Sequence, residues 1–194
     1  LETWEVDSSN IDGVTIRCHE QPHPGRSFAY SFEKNGTKVV YATDSEIDLG
    51  IRDRAASDAD PERLRELSPE LVRFVEGATL LIADGQYSDA EYPHKVGWGH
   101  ARASPGVDRA VQAEAERPAV FHPHPIHPDD VVDDELRKCR ERALKHGSAV
   151  AVFGAREGLE LKLCEAPAGA VQGAAATARF GTRSRMPILS TRRR

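Results

Sequence analysis

Residues 79–84 read TLLIAD, an unbroken apolar run that ends on a carboxylate. A run of this kind fits a strand buried on both faces, as found in parallel sheets covered by helices. Upstream, KVVYAT is a second strand-like run, and it ends on Asp44. Two strands thus deliver carboxylates to their C-terminal ends, where α/β folds collect their ligands. The pair constrains both the architecture and the place where chemistry is to be sought.

The remaining segments fill in the class. GVTIRCH and SFAYSFE alternate as half-buried strands, the second with Phe28, Tyr30 and Phe32 on one face. Lys34-Asn35-Gly36-Thr37 joins the second to KVVYAT, and Asn-Gly accepts the positive φ angles of a tight hairpin turn. Polar residues 45–60 read as a loop. PERLRELSPELVRFVEGA carries Leu64, Leu67, Leu71, Phe74 and Val75 at helical spacing, interrupted near Ser68-Pro69. After a short helical turn at SDAEY, VDRAVQAEAE reads as a helix and PAVFH as a strand ending on His122. HPDDVVDDELRKCRERALKHG has its acids early and its bases late, the order a helix dipole favours. SAVAVF and LELKL close the body as strands. A hairpin followed by alternating strands and helices makes the class α/β with mixed strand directions.

Charge separates the chain into two parts. The 194 residues carry 31 acids and 26 bases, net −5, yet residues 167–194 hold six arginines and no acid, which leaves residues 1–166 at −11. The basic segment is rich in Ala, Gly, Ser and Thr without amphipathic period, so 1–166 is read as the folded body and 167–194 as a disordered tail. A basic tail can touch RNA phosphates or an acidic partner, though six dispersed arginines also suit a merely solvated extension. No run reaches the length of about 18 apolar residues that a membrane span needs. With no basic-then-apolar N-terminal pattern, the default expectation is a cytoplasmic protein. Cys18, Cys139 and Cys164 have no metal-type spacing and are read as buried or incidental thiols.

Eight histidines, at 19, 23, 94, 100, 122, 124, 127 and 146, are the groups most suited to chemistry. His23, Asp44, Asp84, His100 and His122 all fall at strand ends or in the loops just beyond. Imidazole and carboxylate together suit zinc, manganese or iron, and no thiolate set competes. Each has a plainer use: Asp44 and Asp84 as turn formers, His23 as a surface residue between two prolines. His100, in the glycine-flanked Gly97-Trp98-Gly99 loop, favours a functional reading. In His122-Pro123-His124-Pro125-Ile126-His127 the first histidine stands at a strand end, and the other two suit loop or helix N-terminal positions equally.

Taken in order, HPGRSFAY, VVYATDSE, LIADGQYSDAEYPHKVGWGHA and VFHPHPIHPDD resemble the metallo-β-lactamase-fold hydrolases. The branch they resemble includes the tRNA 3′-end processing endonucleases and small phosphodiesterases, where HPGxSxxY, YATDxE, DxQYxxEEY, GWGHS and FHHDPxHxD recur. The resemblance runs through residues 12–163. It implies part of an αββα sandwich with a mixed sheet, and a site with two divalent metals, zinc first, with manganese and iron also suited. By position it assigns His23 and His122 to one metal each and Asp44 to both. Asp84 and His100 match a carboxylate–imidazole pair that protonates the leaving oxygen. The implied substrate is a phosphodiester, small molecule or RNA, attacked by metal-activated water.

The chain departs from the family at three places. Ala101 and Arg102 follow His100 where Ser and Thr are usual, and Pro123 and His124 replace the second histidine and the aspartate of FHHDP. The HxHxDH motif that supplies most of the family's ligands is absent from the 194 residues. Each metal keeps two protein ligands, below the three of a typical catalytic zinc. The expectation is therefore the C-terminal part of a hydrolase, with the N-terminal half upstream of Leu1 or supplied by another chain or a second copy. The competing expectation is a non-catalytic remnant that acts, if at all, through binding.

Overall fold

The structure is a computed structural model and describes residues 9–163. The basic segment 167–194, the boundary at 166 and Cys164 lie outside the described residues. The described residues form one seven-stranded sheet in chain order: β1 (Ser9–Ile11), β2 (Val14–Glu20), β3 (Phe28–Lys34), β4 (Thr37–Ala42), β5 (Leu80–Asp84), β6 (Pro118–Phe121) and β7 (Phe153–Gly154). Strands β1 to β4 pair antiparallel, and β4 to β7 pair parallel. The switch occurs where the connections change from hairpins to helical crossovers. Asn35 and Gly36 both take positive φ, 52° and 76°, in the β3–β4 turn, as Asn-Gly requires.

One face of the sheet is covered by α2 (Pro69–Val75), α3 (Ala103–Gln112) and α4 (Asp129–Lys145). The core between them is rich in small residues: Ala29, Val40, Ala42, Leu81 and Ala83 from the strands meet Val75, Ala78 and Ala110. Small side chains let α3 lie close to the sheet, and a Cβ on Gly106 would stand 3.6 Å from that of Ala83. Val107, Cys139, Ala143 and Val152 join α3 to α4. Buried beside them, Asp108 on α3 binds Arg142 of α4 at 2.6 Å and Arg65 at 2.9 Å, tying the segment before α2 to both helices.

No described residue covers the opposite face in its antiparallel part. Tyr30, Phe32 and Tyr41 remain 39–41% exposed there. The cross-strand register sets Tyr30 beside Tyr41 and Phe32 beside Val39.

Three local expectations are corrected. Residues 45–60 are not a plain loop: they hold a 3-10 helix (Ile47–Gly50) and α1 (Arg54–Ala59), and Ser45, Glu46 and Asp48 are buried. They looked polar because their carboxylates are satisfied by donors far away in sequence. The helix expected from Pro61 begins only at Pro69. Arg63 and Arg65 are instead drawn to Asp53 and Asp108, and a proline favours extended backbone in the residue before it. Finally, among the described residues after α4 only Phe153–Gly154 pairs, and no strand forms at 159–163.

Candidate functional site

The parallel strands β5 and β6 place Asp84 and His122 side by side, since Asp84 pairs in register with Phe121, the residue before His122. Asp44 stands just past β4. Asp44 and His122 both take positive φ, 52° and 64°. Among non-glycine residues aspartate and histidine are enriched in that region, and such strained positions cluster at functional sites.

Asp84, His100 and His122 converge, each offering a ligand atom within 4.8 Å of the others. His100 Nδ1 lies 2.8 Å from Asp84 Oδ2. The other carboxylate oxygen accepts from the backbone N–H groups of Gln86 (3.2 Å) and Ala101 (3.3 Å), and Ser45 N–H approaches Oδ2 at 3.4 Å. With both oxygens engaged, an ionised Asp84 holds the proton of His100 on Nδ1 and leaves Nε2 free. Burial pushes the Asp84 carboxyl above its ordinary range, against the pull of the His100 hydrogen bond. The rings of His100 and His122 stack, 4.8 Å between centroids and 10° from parallel. On the far side of His122, Nδ1 meets the side-chain amide of Gln86 at 2.8 Å.

His23 and Asp44 complete the rim. His23 meets His100 edge-on at 6.4 Å, and its Nδ1 accepts from Gly25 N–H at 3.0 Å. The half-buried ring is brought close by Gly99: a Cβ there would fall 2.4 Å from His23 Nε2. Gln21 fastens this turn to the end of β4 by donating to Ser27 Oγ and to the carbonyl oxygens of Thr43 and Asp44. Asp44 is exposed, and its carboxylate accepts no hydrogen bond from the described residues. By type His23, Asp44 and His122 suit a divalent cation, but the group of described residues whose ligand atoms lie close enough to share an ion is Asp84, His100 and His122, and it includes neither His23 nor Asp44.

Four side chains that support the site were missed in the sequence. Gln86 orients His122, Glu46 receives the loop that carries His100, and Glu91 binds His127 at 2.8 Å across the mouth of the site. Although burial works against it, hydrogen bonds from His127 and Ser88 hold the Glu91 carboxyl down at about 2. Tyr87 stands 6.4 Å from His100 and 6.0 Å from His124. Gln86 and Tyr87 directly follow the Asp84-Gly85 turn, so their place in sequence was the available signal. Nothing local marks Glu46, whose donors lie some fifty residues downstream.

Comparison with known proteins adds the frame. No family model and no curated protein matches the chain. Among solved structures, it is similar to the metallo-β-lactamase fold protein YhfI of Bacillus subtilis, with 17% identity and a TM-score of 0.54 over 79% of this chain. The chain spans 50% of that protein's length. Similarity also extends to the short form of human tRNase Z, with 17% identity over 63% of this chain and 40% of that one, at a TM-score of 0.45. A metallo-β-lactamase superfamily protein of Thermotoga maritima shares 16% identity over 68% of this chain and 55% of its own, at a TM-score of 0.44.

Proposed function

From a chain that carries part of the metallo-β-lactamase fold, we propose that it contributes half of the active site of a metal-dependent hydrolase acting on phosphodiesters. The observation that carries this reading is the Asp84–His100 pair at 2.8 Å, stacked against His122 at the ends of two parallel strands. His23, Asp44 and His122 would supply ligands to the divalent metals of the complete site, zinc first, with manganese or iron also suited. When bound, the metal supplies Lewis acidity and lowers the pKa of water.

The chain's own residues do the rest. Asp84 keeps the His100 proton on Nδ1 and stabilises the ring once it is charged, so that Nε2 hands a proton to the leaving oxygen. The Gln86 amide serves His122 in either orientation: by turning over it accepts from Nδ1–H and frees Nε2 as the ligand atom. A second sheet, from the remainder of a longer protein or from another chain, would cover Tyr30, Phe32 and Tyr41 and bring the missing ligands. A small phosphodiester and an RNA 3′ end share the chemistry this site addresses.

The test is metal content, together with hydrolysis of bis-p-nitrophenyl phosphate in excess zinc or manganese. Bound metal and turnover that vanishes in His122→Ala would exclude a non-catalytic remnant. A metal-free, inactive chain under those conditions excludes autonomous catalysis. It would leave the second reading, a non-catalytic binding module, which the short count of ligands favours.

A further inference from the structure

Glu46 follows Asp44 by two residues and is 0% exposed. Among the described residues no cation pairs with it. Its Oε1 accepts from the Tyr92 hydroxyl at 2.8 Å and from Gly97 N–H at 2.6 Å, and its Oε2 accepts from Gly99 N–H at 2.9 Å. All three donors belong to the loop that ends on His100. Gly97 and Gly99 take φ of +85° and +90°, left-handed values that point their N–H groups into one concavity and that suit glycine alone. The Glu46 backbone N–H donates to Pro22 O at 2.7 Å, the residue before His23. Gly99, in turn, is the wall against which His23 Nε2 rests.

We propose that Glu46 is a positioning residue: its buried carboxylate fixes the Gly97–Gly99 loop and thereby the place of both His100 and His23. The proposal rests on the reading of these histidines as site residues. The physical case is one of alternatives. An apolar side chain would fill the volume without a desolvation cost, but it would leave the Gly97 and Gly99 N–H groups unpaired, that of Gly99 buried, and the loop would turn away to find water. A glutamine would not substitute, because both oxygens of Glu46 are occupied by donors and an amide offers one acceptor. Neighbouring Asp48 is committed elsewhere, to Arg102.

The experiment is NMR of the isotope-labelled chain, comparing wild type with Glu46→Gln. The imidazole 15N signature of His100 should change from a single Nδ1–H tautomer to a mixture. Hydrogen-exchange protection of the Gly97 and Gly99 amides should fall about tenfold or more, as loss of bonds to a charged acceptor implies. Resonances of Val40 and Leu81 in the core should stay in place. If Glu46→Gln fails to fold, Glu46→Asp keeps the charge but draws the carboxylate back by one methylene. It should produce the same His100 change in smaller measure. Gly97 and Gly99 amides that lose protection while His100 and His23 keep their wild-type ring signatures, in either variant, overturn the proposal. The readout does not require turnover. An inactive, metal-free wild type with an ordered His100 would exclude autonomous catalysis and leave Glu46 positioning intact.

Discussion

His100 lies flat against His122, ring centroids 4.8 Å apart, while its Nδ1 is held by a carboxylate that burial makes reluctant to ionise. Two imidazoles at this spacing cannot both be charged without cost. The arrangement divides the two rings by partner: His100 meets the Asp84 carboxylate, and His122 meets the neutral amide of Gln86.

Asp84→Asn tests that division. The amide is nearly isosteric but cannot stabilise a charged His100. In the active protein kcat is expected to fall on the order of 10²–10⁴-fold with little change in KM. Steady-state kinetics check this, and an unchanged kcat would remove Asp84 from the proton path.

His100→Ala makes a pH prediction whose sign is fixed by burial. Asp84 already has a raised carboxyl pKa, and His100 is the largest influence pulling it back. The variant should raise it further. A carboxyl whose folded pKa lies above its unfolded one keeps full stability below the unfolded value, near 3.8, and loses it as pH rises through the folded value. The stability gap between variant and wild type should thus widen from pH 4 towards neutrality in urea titrations. A gap that narrows over that range contradicts the assignment.

Asp108→Ala addresses the scaffold. It leaves the buried guanidinium groups of Arg65 and Arg142 without their shared carboxylate, and stripping one partner from a buried ion cluster costs about 3–5 kcal/mol. Chemical denaturation should show the loss, and a change under 1 kcal/mol would mean that the carbonyl oxygens of Pro61 and Arg63, which Arg142 also reaches, suffice alone.

Gly99→Ala adds a Cβ at φ +90° and 2.4 Å from His23 Nε2. Strain of about 1–3 kcal/mol follows from the backbone alone, and His23 must move. Calorimetric zinc titration should show weaker binding than wild type, whereas equal affinity would show that His23 is no ligand.

The sheet face that no described residue covers predicts association. Tyr30, Phe32 and Tyr41, with Val39 and Ile16 in register beside Phe32, form an apolar surface that water disfavours. Sedimentation of the chain should show dimers or larger species that Phe32→Lys with Tyr41→Lys disperses. A monomer with cooperative unfolding would show that the face is tolerated bare.

Much of this was legible in the sequence because it depends on near neighbours. The alternation of Phe28, Tyr30 and Phe32, the Asn35-Gly36 turn, the apolar run into Asp84 and the charge order of α4 each reflect a local rule, and each element formed where that rule put it. The strand ends followed, and with them the places of the five candidates His23, Asp44, Asp84, His100 and His122 at those ends or in the loops just beyond.

What the tertiary structure decided is which of those five touch and what holds them. Parallel pairing of β5 and β6 set Asp84 beside His122, and the loop returning from Tyr92 laid His100 between them. Segment 45–60 read as polar and exposed, yet it is a buried junction, because Glu46 and Asp48 find their donors at Gly97, Gly99 and Arg102. A buried carboxylate and a solvated one look alike in sequence. Only the long-range hydrogen bonds that offset the loss of water tell them apart, and those exist only once the chain has folded.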